Sequence, residues 1–258
     1  MAKDSISKKV SKKQDFKTGS KINTTAVEKA LSTKETESSN STSESEEIDS
    51  ESENEDLPKT RYRPNIIITG TPGCGKSTLS SKLNEVKSLK TNLFNISEFA
   101  KEEDIFESYD ESRKSHVIDE EELLNRLEKP LREGSCIIDW HCNDIFPERL
   151  IDLVIVLKCG TSALYDRLQA RKYHDSKIQE NIDAEIMSVV LEDALESYDK
   201  RIVIELPSET EEQIEDNLEK IIAWYKQWLK DNKSGVTNEI DEFYKDREMP
   251  ENFDSDEE

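Results

Sequence analysis

Gly70-Thr71-Pro72-Gly73-Cys74-Gly75-Lys76-Ser77-Thr78 decides the fold class of this 258-residue chain. The spacing fits G-x-x-x-x-G-K-[ST], a loop that wraps phosphate groups. Its flanks are those the loop requires. Asn65-Ile66-Ile67-Ile68-Thr69 is a short β-branched run that reads as a buried strand. Beyond the loop, Leu79 and Leu83 lie four apart, as one face of a helix needs. Glycines let backbone N–H groups crowd around an anion, and the positive end of the following helix points the same way. Gly73, Cys74, Gly75, Lys76, Ser77 and Thr78 are therefore expected to hold the phosphates of a nucleoside triphosphate. Lys76 reaches the β- and γ-phosphates in this reading, and the Ser77 hydroxyl ligates Mg²⁺.

Outward from the loop, the composition is polar: 33% hydrophobic, 36% charged, net charge -22. Part of such a chain lacks the apolar residues for a core. The N-terminus shows no signal-peptide pattern, and no apolar run approaches a membrane span. The four cysteines, Cys74, Cys136, Cys142 and Cys159, lack C-x-x-C spacing, which argues against a disulfide framework or a zinc site. A soluble, intracellular protein is expected. Charge is segregated. Residues 1–34 carry nine lysines against Asp4, Asp15 and Glu28, and residues 35–56 carry ten acids without a base. This leader, 1–60, and an acidic tail, 231–258, read as disordered extensions around one domain at 61–230. Lys8-Lys9 and Lys12-Lys13 could serve nuclear import, and Ser38 to Ser52 could be phosphorylated; a merely solubilising leader fits as well.

Along the domain, Thr91–Ile96 reads as a second strand, with Ser97 capping a short helix. Residues 104–117 read as irregular. Asp119 is placed as the cap of a helix with leucines at 123, 124, 127 and 131, disturbed by Pro130 and closed by Gly134. Cys136-Ile137-Ile138-Asp139 is a strand ending in an acid, the arrangement in which a carboxylate helps hold the Mg²⁺ shell, through water here. The alternative for Asp139 is a helix cap or surface acid. Strand alternation puts His141 on the side of Asp139, where imidazole could position a water or a phosphoryl acceptor. A histidine satisfied by a local backbone bond is the alternative. Leu153–Leu157 is a fourth strand. In the next helix Arg167 and Arg171 lie four apart and could neutralise a transferring phosphoryl group, or form a solvated face. A long helix from Lys177 to Tyr198, a fifth strand at Ile202–Ile204 and a closing helix from Glu209 to Lys230 complete the pattern. Strands alternating with helices predict a three-layer α/β fold on a parallel sheet, with ligands at the carboxyl ends of the strands.

Pro64 to Ser77, Ile138-Asp139-Trp140-His141, Phe146-Pro147-Glu148-Arg149 and Tyr173-His174-Asp175-Ser176-Lys177 together resemble the adenylate kinase isoenzyme 6 family. The resemblance spans about residues 62 to 238. It implies a P-loop nucleoside-monophosphate-kinase-like fold with a five-stranded sheet in the order 2-3-1-4-5. It places a monophosphate-binding segment at about 93–118, with Lys101 and Arg149 as AMP contacts, and a short zinc-free lid at about 170–180. Lys76, His141, Arg167 and Arg171 would be catalytic, with Arg171 also on ATP. The implied activity is broad-specificity nucleoside monophosphate kinase (ATP and AMP to two ADP) together with ATPase. The implied setting is small-ribosomal-subunit biogenesis and 18S rRNA maturation, in nucleus and cytoplasm, through a basic ribosomal protein and pre-ribosomal particles. The alternatives are an assembly ATPase with little AMP kinase activity, or a nucleotide-regulated binding module. The 34 acids against 23 bases in 61–230 suit a basic protein better than bare RNA. The chain departs from the family pattern at Lys101, where Arg is frequent, and at Lys172, where the lid commonly carries Gly.

Overall fold

A computed structural model of the chain describes residues 57–110 and 115–243. The expectations for most of the leader, for 111–114 within the monophosphate segment and for the tail beyond 243 lie outside these residues.

In chain order the strands are β1 (Thr60–Arg61), β2 (Ile66–Thr69), β3 (Asn92–Asn95), β4 (Phe106–Asp110), β5 (Ser115–Ile118), β6 (Cys136–Asp139), β7 (Leu153–Lys158), β8 (Val203–Pro207) and β9 (Val236–Thr237). The helices are α1 (Lys76–Asn84), α2 (Ile96–Glu102), α3 (Glu120–Glu133), α4 (Thr161–Ala170), α5 (Asp175–Ile186), α6 (Val189–Ser197), α7 (Glu211–Asp231) and α8 (Ile240–Phe243). The central sheet runs β3-β6-β2-β7-β8, all parallel, which is the order 2-3-1-4-5 of its five strands. Pleating sends alternate residues to opposite faces. Ile66 and Ile68 join Leu79, Leu83, Leu164, Ile178, Ile221 and Tyr225 on one face. Ile67, Ile138 and Val156 join Ile96, Leu123, Leu127 and Ala194 on the other. Each fully buried aliphatic contributes about 1.5–3 kcal/mol, so both helical layers are held chiefly by this burial.

Several elements differ from the sequence reading. The second helix is capped by Asn95, whose side chain accepts from Glu98 N, because the strand ends one residue earlier than expected and Ser97 is already helical. Residues within 104–117 form an antiparallel hairpin, β4 with β5, in which His116 packs on the rings of Phe106 and Tyr109. Asp119 and Gly134 cap α3 as expected, but the helix continues through Pro130 to Glu133. The Pro130 carbonyl accepts from Gly134 N, so the turn after the proline is still closed. The expected helix at 177–198 is two helices, broken at Ser188 with φ 58. The fifth strand is shifted to Val203–Pro207. The closing helix begins at Glu211, fixed by a capping box between Thr210 and Gln213.

The domain boundaries also move. Thr60 pairs with Thr237 and Arg61 with Val236, while Lys59 O accepts from Asn238 N. Residues 57–60 and 231–243 therefore belong to the folded unit rather than to the extensions. The apolar positions in 231–243, Val236, Ile240 and Phe243, are scattered among polar and acidic residues and give no clear periodicity.

Helix α4 ends in a Schellman turn: Lys172 N donates to Gln169 O at 2.8 Å and Tyr173 N to Leu168 O at 3.3 Å. Lys172 sits at φ 60, a left-handed conformation that favours glycine. Relief of about 1–2 kcal/mol of strain, less about 0.5–1 for glycine's unfolded-state entropy, predicts that Lys172→Gly raises unfolding free energy by roughly 0.5–1 kcal/mol. Urea denaturation reads this; a lower midpoint would show that the lysine stem contributes more by packing.

Candidate active site

The carboxyl ends of β2, β3 and β6 are aligned by register, Ile68 opposite Asp139 and Asn95 opposite Asp139. The 70–78 stretch leaves β2 at this edge. Gly75 precedes α1 at φ 91, and Gly73 has φ 102, where a Cβ would lie 2.8 Å from Leu164 Cδ1. The α1 start has no side-chain cap and no acid in its first turn. Its free N–H groups and the positive end of its dipole face outward, ready for an anion. The loop is braced from behind: Cys74 N donates to Thr71 O, Ser208 Oγ to Cys74 O at 2.5 Å, and Arg167 Nη1 to Gly73 O at 3.2 Å.

Lys76 Nζ donates to Gly70 O at 2.8 Å and Thr71 O at 3.4 Å, curling over the loop. Burial lowers its pKa, as does Arg171, against the pull of Asp139, Cys74 and Glu185. Ser77 and Thr78 are exposed at the helix start. Asp139 is buried, its Oδ2 accepting from Ser80 Oγ at 3.3 Å and Asn95 Nδ2 at 3.4 Å. A carboxylate at the end of β6 and a hydroxyl at the start of α1 are ligand types that suit Mg²⁺, which keeps water and phosphate oxygens as its other ligands. Among the described residues no group of three or more His, Cys, Asp or Glu could cage a metal by itself. Cys74 is no nucleophile: its hydrogen bond to Cys159, burial and Glu185 push the thiol up, so it stays protonated.

The strand stops at Asp139, so alternation does not place His141. Its position follows from Trp140 N donating to Ile68 O at 3.4 Å and from Thr69 Oγ1 donating to the His141 carbonyl at 3.3 Å. The alternative, a ring satisfied by a local backbone bond, is not what forms: the bond from Thr69 reaches the main-chain carbonyl and not the ring. Among the described residues the imidazole has no hydrogen-bond partner. The ring is open to solvent on one side. Protein packed on the other, then the Lys76 and Lys177 ammonium groups, lower its pKa below 6.5.

The two arginines part company. Arg167 gives Nη2 to the carbonyls of Ser208 at 2.9 Å and Glu209 at 2.7 Å, besides Gly73 O. It ties the loop after β8 to the phosphate loop rather than presenting a free charge. Arg171, at the end of α4, is exposed and close enough to Lys76 to lower its pKa. Lys101 lies in the last turn of α2, which departs from the carboxyl edge at Asn95. Arg149 is displaced from the expected AMP site. Its carbonyl accepts from Arg61, and its Nε donates to Asn238 O, beside Asn65 and Asp152 at the amino ends of β2 and β7. It stands at the opposite end of the sheet, because a chain about to enter β7 must already have returned there. Asn95, Ser80 and Glu185 were not anticipated. Only Asn95 carried a signal, a polar residue ending a strand next to the Asp139 strand.

Sequence comparison agrees with this geometry. An AAA-domain family model matches residues 66–188. The adenylate kinase isoenzyme 6 homolog FAP7 of Saccharomyces cerevisiae is 60% identical over 180 residues, covering 69% of this chain and 90% of that protein. The chain belongs to the adenylate kinase isoenzyme 6 family. The family's Candida albicans homolog HBR1 is 50% identical, covering 71% of this chain and 77% of that protein. Its Schizosaccharomyces pombe homolog is 46% identical, covering 67% and 97%. This membership and the sheet edge together make the chain a nucleotide-kinase-like protein.

Proposed function

We propose that the chain transfers the γ-phosphoryl group of ATP to AMP or another nucleoside monophosphate, and hydrolyses ATP when water replaces the acceptor. One observation carries the kinase reading. The uncapped start of α1, the Lys76 ammonium and the Asp139 carboxylate meet at one sheet edge, from which α2 and Lys101 also depart. In the reaction Lys76 leaves the Gly70 and Thr71 carbonyls for the β- and γ-phosphates, and Arg171 adds a second cation from the 171–174 connection. Ser77 and, through water, Asp139 would hold Mg²⁺, which would supply charge neutralisation on the phosphates. Arg167 keeps the loop in place. Lys101 attracts the monophosphate as a point charge without the bidentate fork of arginine.

The imidazole of His141, without a hydrogen-bond partner among the described residues, favours the ATPase as a second activity, since a neutral ring can orient water or an acceptor hydroxyl. The excess of acids in 61–230 and the family resemblance support a basic small-subunit ribosomal protein as partner, with action in small-subunit biogenesis and 18S rRNA maturation in nucleus and cytoplasm. A ³¹P NMR time course with ATP and Mg²⁺, with and without AMP, tests the reaction. AMP-dependent ADP formation is expected; phosphate release unaffected by AMP would leave the ATPase alone.

His141→Ala is expected to leave ATP affinity within a few-fold and to lower turnover by roughly ten-fold or more, the low side of positioned acid–base effects. Because its pKa is lowered from 6.5, the ring is neutral at pH 7. Wild-type turnover therefore falls only as pH drops through that lowered value, and the variant loses this acid limb. Intact turnover with a melting temperature several degrees lower would make His141 a packing residue.

A further inference from the structure

Glu185 is a buried carboxylate, 6% exposed, on a helix whose neighbours at Ile186 and Met187 are in solvent. Its Oε2 accepts from Thr71 Oγ1 at 2.5 Å, and its Oε1 accepts from Cys159 N at 2.9 Å. Lys158 Nζ lies 3.5 Å from Oε1 and donates to the Glu185 carbonyl at 2.9 Å and to Ser188 Oγ at 3.1 Å. Thr71 is itself 1% exposed, and its carbonyl accepts from Cys74 N and Lys76 Nζ. The carboxylate thus holds the second residue of the phosphate loop, the chain just after β7 and the end of α5 in one cluster.

This cluster stands at one end of a lever. Helix α5 starts at Asp175, immediately after the 171–174 connection that carries Arg171. Twelve residues at about 1.5 Å each give a rod of roughly 18 Å from that connection to the cluster. The chain breaks directly beyond it, at Ser188 with φ 58, so α5 does not extend rigidly into α6. Ile178, 2% exposed, and Ile182 seat the rod on the core between its two ends, so a shift at the cluster is carried along the helix to the 171–174 connection. Leaving Thr71 Oγ1 or Cys159 N unpaired in this buried place is costly, so loop and rod move together.

We propose that Glu185 is a positioning residue that couples the phosphate loop, through Thr71, to the α5 rod that brings Arg171 and Lys177 over the nucleotide. The proposal rests on the phosphoryl-transfer reading for its kinetic consequence, though not for the mechanical one. Glu185 touches no reacting atom. Its influence passes through Thr71 to Lys76 and through α5 to the connection at 171–174.

Full-length wild type, Glu185→Gln, Thr71→Val, Thr71→Ser and the Glu185→Gln/Thr71→Val double variant are compared by hydrogen exchange, with and without Mg-ATP, and by steady-state kinetics. In the wild type, Mg-ATP is expected to raise protection at 70–76 and at 171–178 together. Glu185→Gln and Thr71→Val should keep the rise at 70–76 but lose most of it at 171–178, while Thr71→Ser, which keeps the hydroxyl, retains the rise in both segments. Each of the two disruptive variants should lower kcat by roughly ten-fold with KM for AMP within two-fold, and the double variant should be no worse than the worse single one. Full ATP-induced protection at 171–178 in both disruptive variants overturns the proposal, as do losses that multiply in the double variant. Should Glu185→Gln fail to fold, the contrast between Thr71→Val and Thr71→Ser decides the matter from the other side of the bond. A wild type that shows no AMP-dependent ADP formation removes the kinase reading, and the exchange pattern still decides the coupling.

Discussion

Lys76→Ala should lower phosphoryl transfer by roughly 10²- to 10³-fold, the range found when a preorganised donor to developing charge is removed. The change falls on chemistry more than on architecture. Among the described residues the Lys76 ammonium bonds to the Gly70 and Thr71 carbonyls alone, and the loop keeps its other supports: Arg167 on Gly73, Ser208 on Cys74 and Glu185 on Thr71. The melting temperature should therefore change by no more than a few degrees, while ATP affinity and kcat both fall. Losing a lysine whose pKa is already lowered by burial also removes a desolvated cation, which offsets part of the packing lost. Kinetics and calorimetry on the same preparation check this. Near-normal turnover in a folded variant would mean that the 70–78 loop does not hold the transferring phosphates.

How far the sequence carried the site depends on how local each signal is. The 70–78 loop between β2 and α1, the acid that ends β6 and the Asp119 and Gly134 caps are each written within a few neighbouring residues, and their places in the fold were legible. The β4–β5 hairpin was not, because its two strands offer few apolar residues and the alternation signal needs several. The break at Ser188 carries neither glycine nor proline, the usual punctuation. Glu185 was missed because Ile178, Ile182 and Ile186 lie four apart in sequence and read as the apolar stripe of that helix. The buried face instead follows 178, 182 and 185, an equally regular helical spacing that ends on an acid, while Ile186 stands 64% exposed. Arg149 shows the opposite case. Standing four residues before Leu153, it had to lie near the amino end of that strand, so topology alone placed it away from the phosphates.

The other large effect is on stability and lies at that amino end. Arg61, 1% exposed, makes a two-pronged contact with Asp152, Nε to Oδ2 at 3.0 Å and Nη2 to Oδ1 at 2.8 Å. Its Nη1 donates to the carbonyls of Arg149 and Thr237 and to Asn238 Oδ1. One guanidinium thus joins the entry to β7, the turn before it and the returning 236–238 segment. Arg61→Ala leaves a buried carboxylate without its cation and should cost about 3–5 kcal/mol, or roughly 10 °C in melting temperature for a domain of this size. The loss should depend on pH in a definite direction. Burial already raises the pKa of Asp152 above 3.8, opposed by Arg61. Without Arg61 the folded-state value rises further, so the ionised form is the destabilised one. Stability is then fully present below the unfolded-state pKa and is lost as pH rises through the folded one. The deficit of Arg61→Ala should accordingly be smaller at pH 4.5 than at pH 7, and Asp152→Asn in the same background should recover part of it at pH 7. Denaturant titrations at the two pH values, with hydrogen exchange at 236–243, make the comparison. A deficit equal at both values, with exchange at 236–243 unchanged, would show that Arg61 acts by filling space and that its charge joins nothing.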